Sequence, residues 1–173
     1  MNSKEIFDRC YELADKSKCN KMHFGSIIYR PNFDYIVGEG FNRPLHCEVK
    51  AIEDIVCCEL RKEIKSGTQL ERCTAIHAEQ AAIFNAWKKG HYIEETDLLY
   101  IAGKFWDGTP WVQKEPGFYC SFCSRDLYMA GIKNIRMLTK NDASAIETNV
   151  TIEEALKQSY EFAFEKKVVK KDG

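Results

Sequence analysis

The stretch that most constrains this chain is Cys73-Thr-Ala-Ile-His77-Ala-Glu79-Gln-Ala-Ala, answered downstream by Pro116-Gly-Phe-Tyr-Cys120-Ser-Phe-Cys123. One histidine and two cysteines supply three ligands of the kind zinc prefers. Three protein ligands leave the fourth tetrahedral position open for water, which is the pattern of a catalytic rather than a structural site. Glu79, two residues beyond His77, need not be a ligand and is placed to take and return a proton. Alone, a His-x-Glu is a chance pairing, and a lone Cys-x-x-Cys reads equally as half a zinc ribbon or as a redox pair. Order, spacing and flanks together favour one joint zinc site, because each half-motif opens a helical pattern. Cys120 and Cys123 share one side of a helix's first turn. Free N–H groups and the macrodipole there stabilise thiolates, the form that binds metal.

The fold must therefore bring two helix starts to one point. Ser3 is expected to cap a first helix carrying Ile6, Phe7, Cys10, Leu13 and Ala14 on one face. Phe24–Arg30 and Tyr35–Phe41 read as a hairpin around Pro31-Asn-Phe-Asp34, with Gly25, Gly38 and Gly40 allowing close backbone approach. Residues 45–72 are irregular, with helical spacing in places between Glu48 and Ile64, and read as an insertion. His77–Lys89 is predicted helical, its apolar residues, Phe84 among them, covering more than one face, and Gly90 ends it. Asp97–Ala102 is an apolar central strand, and an Asp107-Gly108 turn folds the following aromatic stretch into a small hairpin. Cys120–Ala130 is a helix, Asn134–Leu138 a strand, and Thr151 caps a last helix over Ile152–Lys166. Strand, helix and strand from Leu98 to Leu138 imply a parallel pair. The whole is an α/β chain, a three-layer α/β/α sandwich on a mixed sheet of about five strands, and 1–173 reads as one domain.

A hydrophobic content of 45%, 29% charged residues and a formal net charge of −1 are ordinary for a globular protein. They give no basic field to hold a long nucleic acid, so nucleic acid is not the expected partner. Lys166, Lys167, Lys170 and Lys171 read as a solvated tail. Neither a signal-like apolar core near Met1 nor a run long enough to cross a membrane is apparent, so a cytoplasmic location is expected. In a reducing compartment most of the eight cysteines are then thiols or ligands rather than disulfides.

His23-Phe-Gly-Ser-Ile-Ile, Gly38-Glu-Gly-Phe-Asn42, the His77 and Glu79 motif, Cys120-x-x-Cys123 and Ala130-Gly-Ile-Lys133 together resemble the cytidine and deoxycytidylate deaminase superfamily, most of all its deoxycytidylate branch. The order H-x-E, then P-C-x-x-C, is that of the zinc nucleobase deaminases. The resemblance implies a cytidine deaminase-like fold and hydrolytic deamination of a cytosine nucleotide, most readily dCMP to dUMP. It implies one Zn2+ held by His77, Cys120 and Cys123, with Glu79 as proton shuttle. It places Asn42 at the sugar and Phe24 beside the base, with Ala78 counted among the substrate-facing positions. This chain departs from the family pattern in three places: Gly117–Tyr119 separate Pro116 from Cys120, Ala81 follows Glu79 where an Asn is common, and the loop reads Gly40-Phe-Asn-Arg43. Deamination of another nucleoside, nucleotide or base by the same machinery is the alternative, and a polynucleotide-editing enzyme or a silent zinc module lies further off.

Arg43 and Lys104 are candidate phosphate partners, and Trp106 and Trp111 a candidate aromatic wall. Exposed-looking aromatics and the apolar last helix suggest a homo-oligomer, as the family resemblance also implies. Cys47, Cys57 and Cys73, with His46 or Cys58 as fourth ligand, could close a second, structural zinc site that ties the insertion to the catalytic helix. Buried free thiols are the competing reading of the same cysteines.

Overall fold

A computed structural model describes residues 1–56, 69–118, 120–141 and 144–164. Helix α1 spans Ser3–Ala14, α2 Ala78–Lys88, α3 Ser121–Ala130 and α4 Ile152–Ala163. The strands are β1 (Met22–Arg30), β2 (Tyr35–Phe41), β3 (Arg43–Pro44), β4 (Ala75–Ile76), β5 (Leu98–Phe105), β6 (Pro110–Trp111), β7 (Asn134–Asn141) and β8 (Ser144–Thr151). The main sheet runs β2-β1-β5-β7-β8, with β6 paired to β5, and β3 and β4 form a separate two-stranded ribbon. Only β5 and β7 are parallel; β1 meets β2 and β5 antiparallel, and β7 meets β8 antiparallel. The sheet is mixed and covered on both faces, as its sequence pattern leads one to expect.

The two central strands are continuously apolar because they are buried from both sides. On one face α1 seats Ile6, Phe7, Cys10 and Leu13 against Ile27, Tyr29, Tyr100 and Ala102. On the other, Ala82, Ile83, Leu127, Ile152 and Ala155 from α2, α3 and α4 pack on Ile28, Val37, Leu99, Ile101, Ile135 and Val150. Burial leaves the Cys10 thiol strongly averse to ionisation, pushed well above the usual thiol range. It behaves as a small core hydrophobe.

Glycine decides how close the helices come. A Cβ at Gly25 would lie 1.9 Å from the Cys10 carbonyl oxygen of α1, and one at Gly40 2.5 Å from the Ala82 nitrogen of α2. Helix α2 thus rests on β2 almost backbone to backbone, through alanines. That contact explains one departure from expectation: the buried side of α2 is Ala78, Ala81, Ala82, Ile83 and Ala86, whereas Phe84 is 46% exposed and Trp87 50%. A bulky ring has no room on the strand side.

Other departures have equally local causes. The first helix is capped by Asn2, one residue ahead of Ser3. Its Oδ1 accepts from the Glu5 amide at 2.9 Å while Glu5 accepts from the Asn2 amide at 2.8 Å, a closed capping box. Strand β8 escaped the sequence reading because its outer residues are polar or exposed and Val150 alone of its described side chains is buried. It is held by its ladder to β7 rather than by an apolar stripe. Thr151 does cap the last helix, in a box with Glu154, and the Asp107-Gly108 turn does join a short hairpin, β5 to β6. Within the insertion, Leu45–Cys47 and Lys50–Ile52 are single 3₁₀ turns rather than an α-helix; residues 57–68, with Cys57 and Cys58, and the lysine tail lie outside the described residues.

The outer end of β1 is tied to the start of β5 by one charged clamp. Asp97, fully buried, accepts from Arg30 Nε at 2.8 Å and Nη2 at 2.9 Å and caps the Glu94 amide. A buried pair of this kind is costly to break one-sidedly, because the survivor is left charged and unpaired. No helix among the described residues is long and apolar enough to cross a membrane.

Candidate active site

Helices α2 and α3 begin at the same place, and the residue before each is a cluster member. His77 is the N-cap of α2 and Cys120 the N-cap of α3. His77 Nδ1 lies 3.3 Å from Cys120 Sγ and 3.2 Å from Cys123 Sγ. The three ligand atoms lie within 4.8 Å of one another, and among the described residues no other His, Cys, Asp or Glu group of three does so. Ligands on a tetrahedral zinc, with bonds near 2.0 Å to nitrogen and 2.3 Å to sulfur, sit roughly 3.5 Å apart. The cluster has that spacing. Gln80 steadies it from the first turn of α2: its Oε1 accepts from the His77 amide at 3.1 Å, and its Nε2 donates to Asp126 on α3 at 2.8 Å.

The electrostatics also suit a cation. Hydrogen bonding from Cys123, then from His77, holds the Cys120 thiol well below its ordinary range, while burial holds Cys123 well above. Burial opposes charge on His77, but its bonds to Cys120 and Cys73 outweigh that and raise it well above the usual histidine value. Sulfur and imidazole atoms lie within hydrogen-bonding distance of one another at a largely buried point. A divalent metal takes the place of their protons when thiolates and neutral imidazole bind it. The Cys123 amide, donating to Cys120 Sγ at 3.3 Å, holds the sulfur at the helix N-terminus.

Glu79 lies in the first turn of α2, 5% exposed. Burial, reinforced by the neighbouring Cys120 sulfur and partly offset by His77, pushes its carboxyl up to about 7. A group near neutrality can both accept and donate a proton at physiological pH.

His77, Cys120 and Glu79 line a cavity of about 340 Å³, within the usual range for a small-molecule site, with Cys123 buried behind them. Phe24 and Trp111 meet edge to face on its wall, 5.3 Å between centroids, and the Phe24 ring lies directly over Gly103. Ala78, Ile101, Phe118, Met137 and Phe162 complete an apolar lining. Of the two tryptophans suggested by the sequence, Trp111 is in this wall and Trp106 is 71% exposed on the hairpin.

The other sequence candidates separate clearly. Asn42 borders the cavity, but its amide is engaged by β1: Oδ1 accepts from the Phe24 amide at 2.7 Å and Nδ2 donates to the Met22 carbonyl at 2.8 Å. It braces the wall. Arg43 does not line the cavity and is bidentate to Glu48. Lys104 is paired with Asp15, also away from the cavity. Among the described residues the lysine in the lining is Lys21, a residue that no motif singles out. Cys73 also lines the cavity, beside His77, whereas Cys47 is exposed and His46 Nδ1 is bonded to Thr74 Oγ1 at 2.9 Å. Gln113, which precedes Lys114 and Glu115 in the loop after β6, is a second lining residue without a motif to announce it.

The family model of the cytidine and deoxycytidylate deaminase zinc-binding region matches residues 1–139. No curated protein matches the chain significantly in sequence. Among solved structures, a cytidine deaminase from Burkholderia pseudomallei superposes with a TM-score of 0.54 at 12% identity, over 90% of this chain and 96% of that one, and so shares its fold. A cytidine deaminase from Mycobacterium tuberculosis gives 0.44 at 11% identity, over 84% of this chain and 89% of that one. Acinetobacter baumannii RibD gives 0.36 at 18% identity, over 77% of this chain and 26% of that one.

Proposed function

The chain belongs to the cytidine and deoxycytidylate deaminase family, and on that premise we propose that His77, Cys120 and Cys123 hold one zinc ion and that Glu79 moves the protons in hydrolytic deamination of a cytosine nucleoside or nucleotide. The observation that carries the reading is the meeting of three ligand atoms, two of their residues lining one cavity together with the buried carboxylate of Glu79. Zinc, when bound, acts as a Lewis acid that brings the pKa of water from about 15.7 to roughly 7. Glu79 takes one proton from the attacking water and gives it to the ring nitrogen, then takes the second from the hydroxyl of the resulting tetrahedral adduct and gives it to the departing amine. The sum is base amine plus water giving the keto base plus ammonia. Phe24 and Trp111 hold the planar ring, and the apolar wall excludes bulk water.

Deoxycytidylate is the substrate the family resemblance suggests, but the charge of the cavity supports an uncharged cytosine nucleoside better. Arg43 and Lys104 are occupied by Glu48 and Asp15, which leaves Lys21 among the described lining residues to meet a phosphate. Ammonia release from cytosine, cytidine, deoxycytidine and dCMP tests both levels. We expect turnover of a nucleoside with kcat/KM at least equal to that for dCMP, and little change in Lys21→Ala. A large preference for dCMP that Lys21→Ala removes would reverse the substrate choice, and turnover of none of the four would overturn the function.

Three finer assignments belong to the same proposal. Residues 1–173 form one deaminase domain, supported by a single main sheet that carries both halves of the site. The cytoplasm suits its thiolate ligands. A second zinc on Cys47, Cys57 and Cys73 with His46 or Cys58 is the weaker part: Cys73 sits in the catalytic cavity beside His77, so we expect one zinc per chain by elemental analysis. Two, falling to one in Cys57→Ser, would establish the structural site. Assembly of copies is supported by the exposed pair Phe84 and Trp87, 6.0 Å apart, together with Tyr128 and Met129. Light scattering should return a particle heavier than the 20.0 kDa chain, and a monomer at micromolar concentration would refute it.

A further inference from the structure

Resting on the reading of this cavity as a deaminase site, we infer that Gln113 is a specificity residue whose side-chain amide hydrogen-bonds a neutral polar group of the substrate. Four glutamines occur in the chain, and three are engaged by the protein itself. Gln69 accepts from Arg72; Gln80 bridges the His77 amide and Asp126; Gln158 accepts from the Phe118 amide and donates to the Pro116 carbonyl. Gln113 lines the cavity, and its Oε1 is buried with no hydrogen-bond partner among the described residues. A buried acceptor left in that state is destabilising, so its retention calls for a partner that arrives with a ligand.

Its backbone is well held. The Gln113 carbonyl accepts from the Lys140 amide at 2.6 Å, and the residue bridges to Thr139 beside the end of β7. Trp111, two residues earlier, is fixed against Phe24 in the wall where the ring is proposed to lie. The amide is thus a mobile polar tip on a rigid mount. Rotation about its last torsion exchanges carbonyl and NH₂, so it can serve a group that donates, one that accepts, or a hydroxyl that does both. Apart from Glu79, already committed to proton transfer, the proposed ligands His77 and Cys120, and Lys21, the described residues that line this cavity include no Asp, Glu, Lys, Arg or His. A neutral partner follows: a sugar hydroxyl or the carbonyl oxygen of the base.

Gln113→Met keeps the length and removes the amide. Kinetics with cytosine, cytidine and deoxycytidine, thermal melting and zinc content would be measured on wild type and variant. We expect kcat/KM to fall about tenfold, mostly through KM, corresponding to one neutral hydrogen bond of roughly 1.4 kcal/mol. Zinc content should be unchanged and the melting temperature equal or higher, since an unsatisfied polar group has gone. Gln113→Asn, with the amide withdrawn by one carbon, should lose as much, and Gln113→Glu more. A loss confined to nucleosides assigns the partner to the sugar; a loss shared by free cytosine assigns it to the base. An active wild type matched by Gln113→Met on every substrate would overturn the inference alone. A lowered melting temperature with unchanged KM would make Gln113 structural and overturn it too. A wild type inactive on every cytosine compound would overturn the functional reading beneath it.

Discussion

Glu79→Gln is expected to leave a folded, zinc-loaded protein whose turnover has dropped by three orders of magnitude or more. The substitution keeps the volume of a side chain that is 5% exposed and removes the proton-accepting oxygen. General acid–base catalysis contributes typically 10²–10⁴-fold, and here one carboxylate is asked to serve two proton transfers. Because the proposed ligands are His77, Cys120 and Cys123, elemental analysis should find the same zinc content as in the wild type. Steady-state ammonia release and metal content therefore separate the two roles: near-normal turnover would refute the proton shuttle, and loss of zinc would make Glu79 a ligand. Cys120→Ser is the complementary case, losing metal and turnover together.

Gly40→Ala is expected to be among the most damaging small substitutions in the described part of the chain, and the one that acts directly on the catalytic helix. The new methyl would fall 2.5 Å from the Ala82 nitrogen and 2.6 Å from the Ala81 Cβ. Neither neighbour is a flexible side-chain end, so α2 must move off the strand. Overpacking commonly costs about 1–3 kcal/mol, and backbone contact places this case at or above about 3 kcal/mol, roughly 6–12 °C in melting temperature for a chain of this size. The helix that moves also carries His77 at its N-cap and Glu79 in its first turn. A shift of about 1 Å at a catalytic group can lower turnover about 10²-fold. Phe84→Ala, on the exposed side of the same helix, is the control and should change the melting temperature little in a monomeric preparation. A wild-type melting curve for Gly40→Ala would show that helix and strand are not in direct contact.

The proximity of His77, Cys120 and Cys123 was legible because chemistry restricts which residues can share a metal and helix N-termini restrict where they can stand. The layers were legible too: continuous apolar runs mark β1 and β5, and the Ile6, Cys10, Leu13 stripe marks α1. Strand β8 was not, since an edge strand with an exposed face carries no hydrophobic period. That Arg43 and Lys104 are paired within the protein and stand away from the cavity was illegible for a different reason. A cation's partner is fixed in space, and neither Glu48 nor Asp15 announces itself in one dimension. Asn42 was found, but in sequence its amide seemed available to a ligand, whereas two backbone groups of β1 already hold it. Gln113 was invisible because a single unbonded amide is a fact about absent neighbours.

The strand order has a consequence for how the protein reaches its working state. One half of the cluster, His77, lies before β5 in the chain, and the other, Cys120 and Cys123, lies after it. Strand β5 is the one inserted between β1 and β7, and its pairing with β1 joins Met22 to Phe105 and Tyr29 to Leu98. These are contacts of high sequence separation, the kind that carries a large loop-closure entropy and forms slowly. The three ligands therefore cannot assemble from local structure in the way a short zinc finger does. High-affinity coordination waits for the central strand, and the ion reads out completed topology rather than nucleating it.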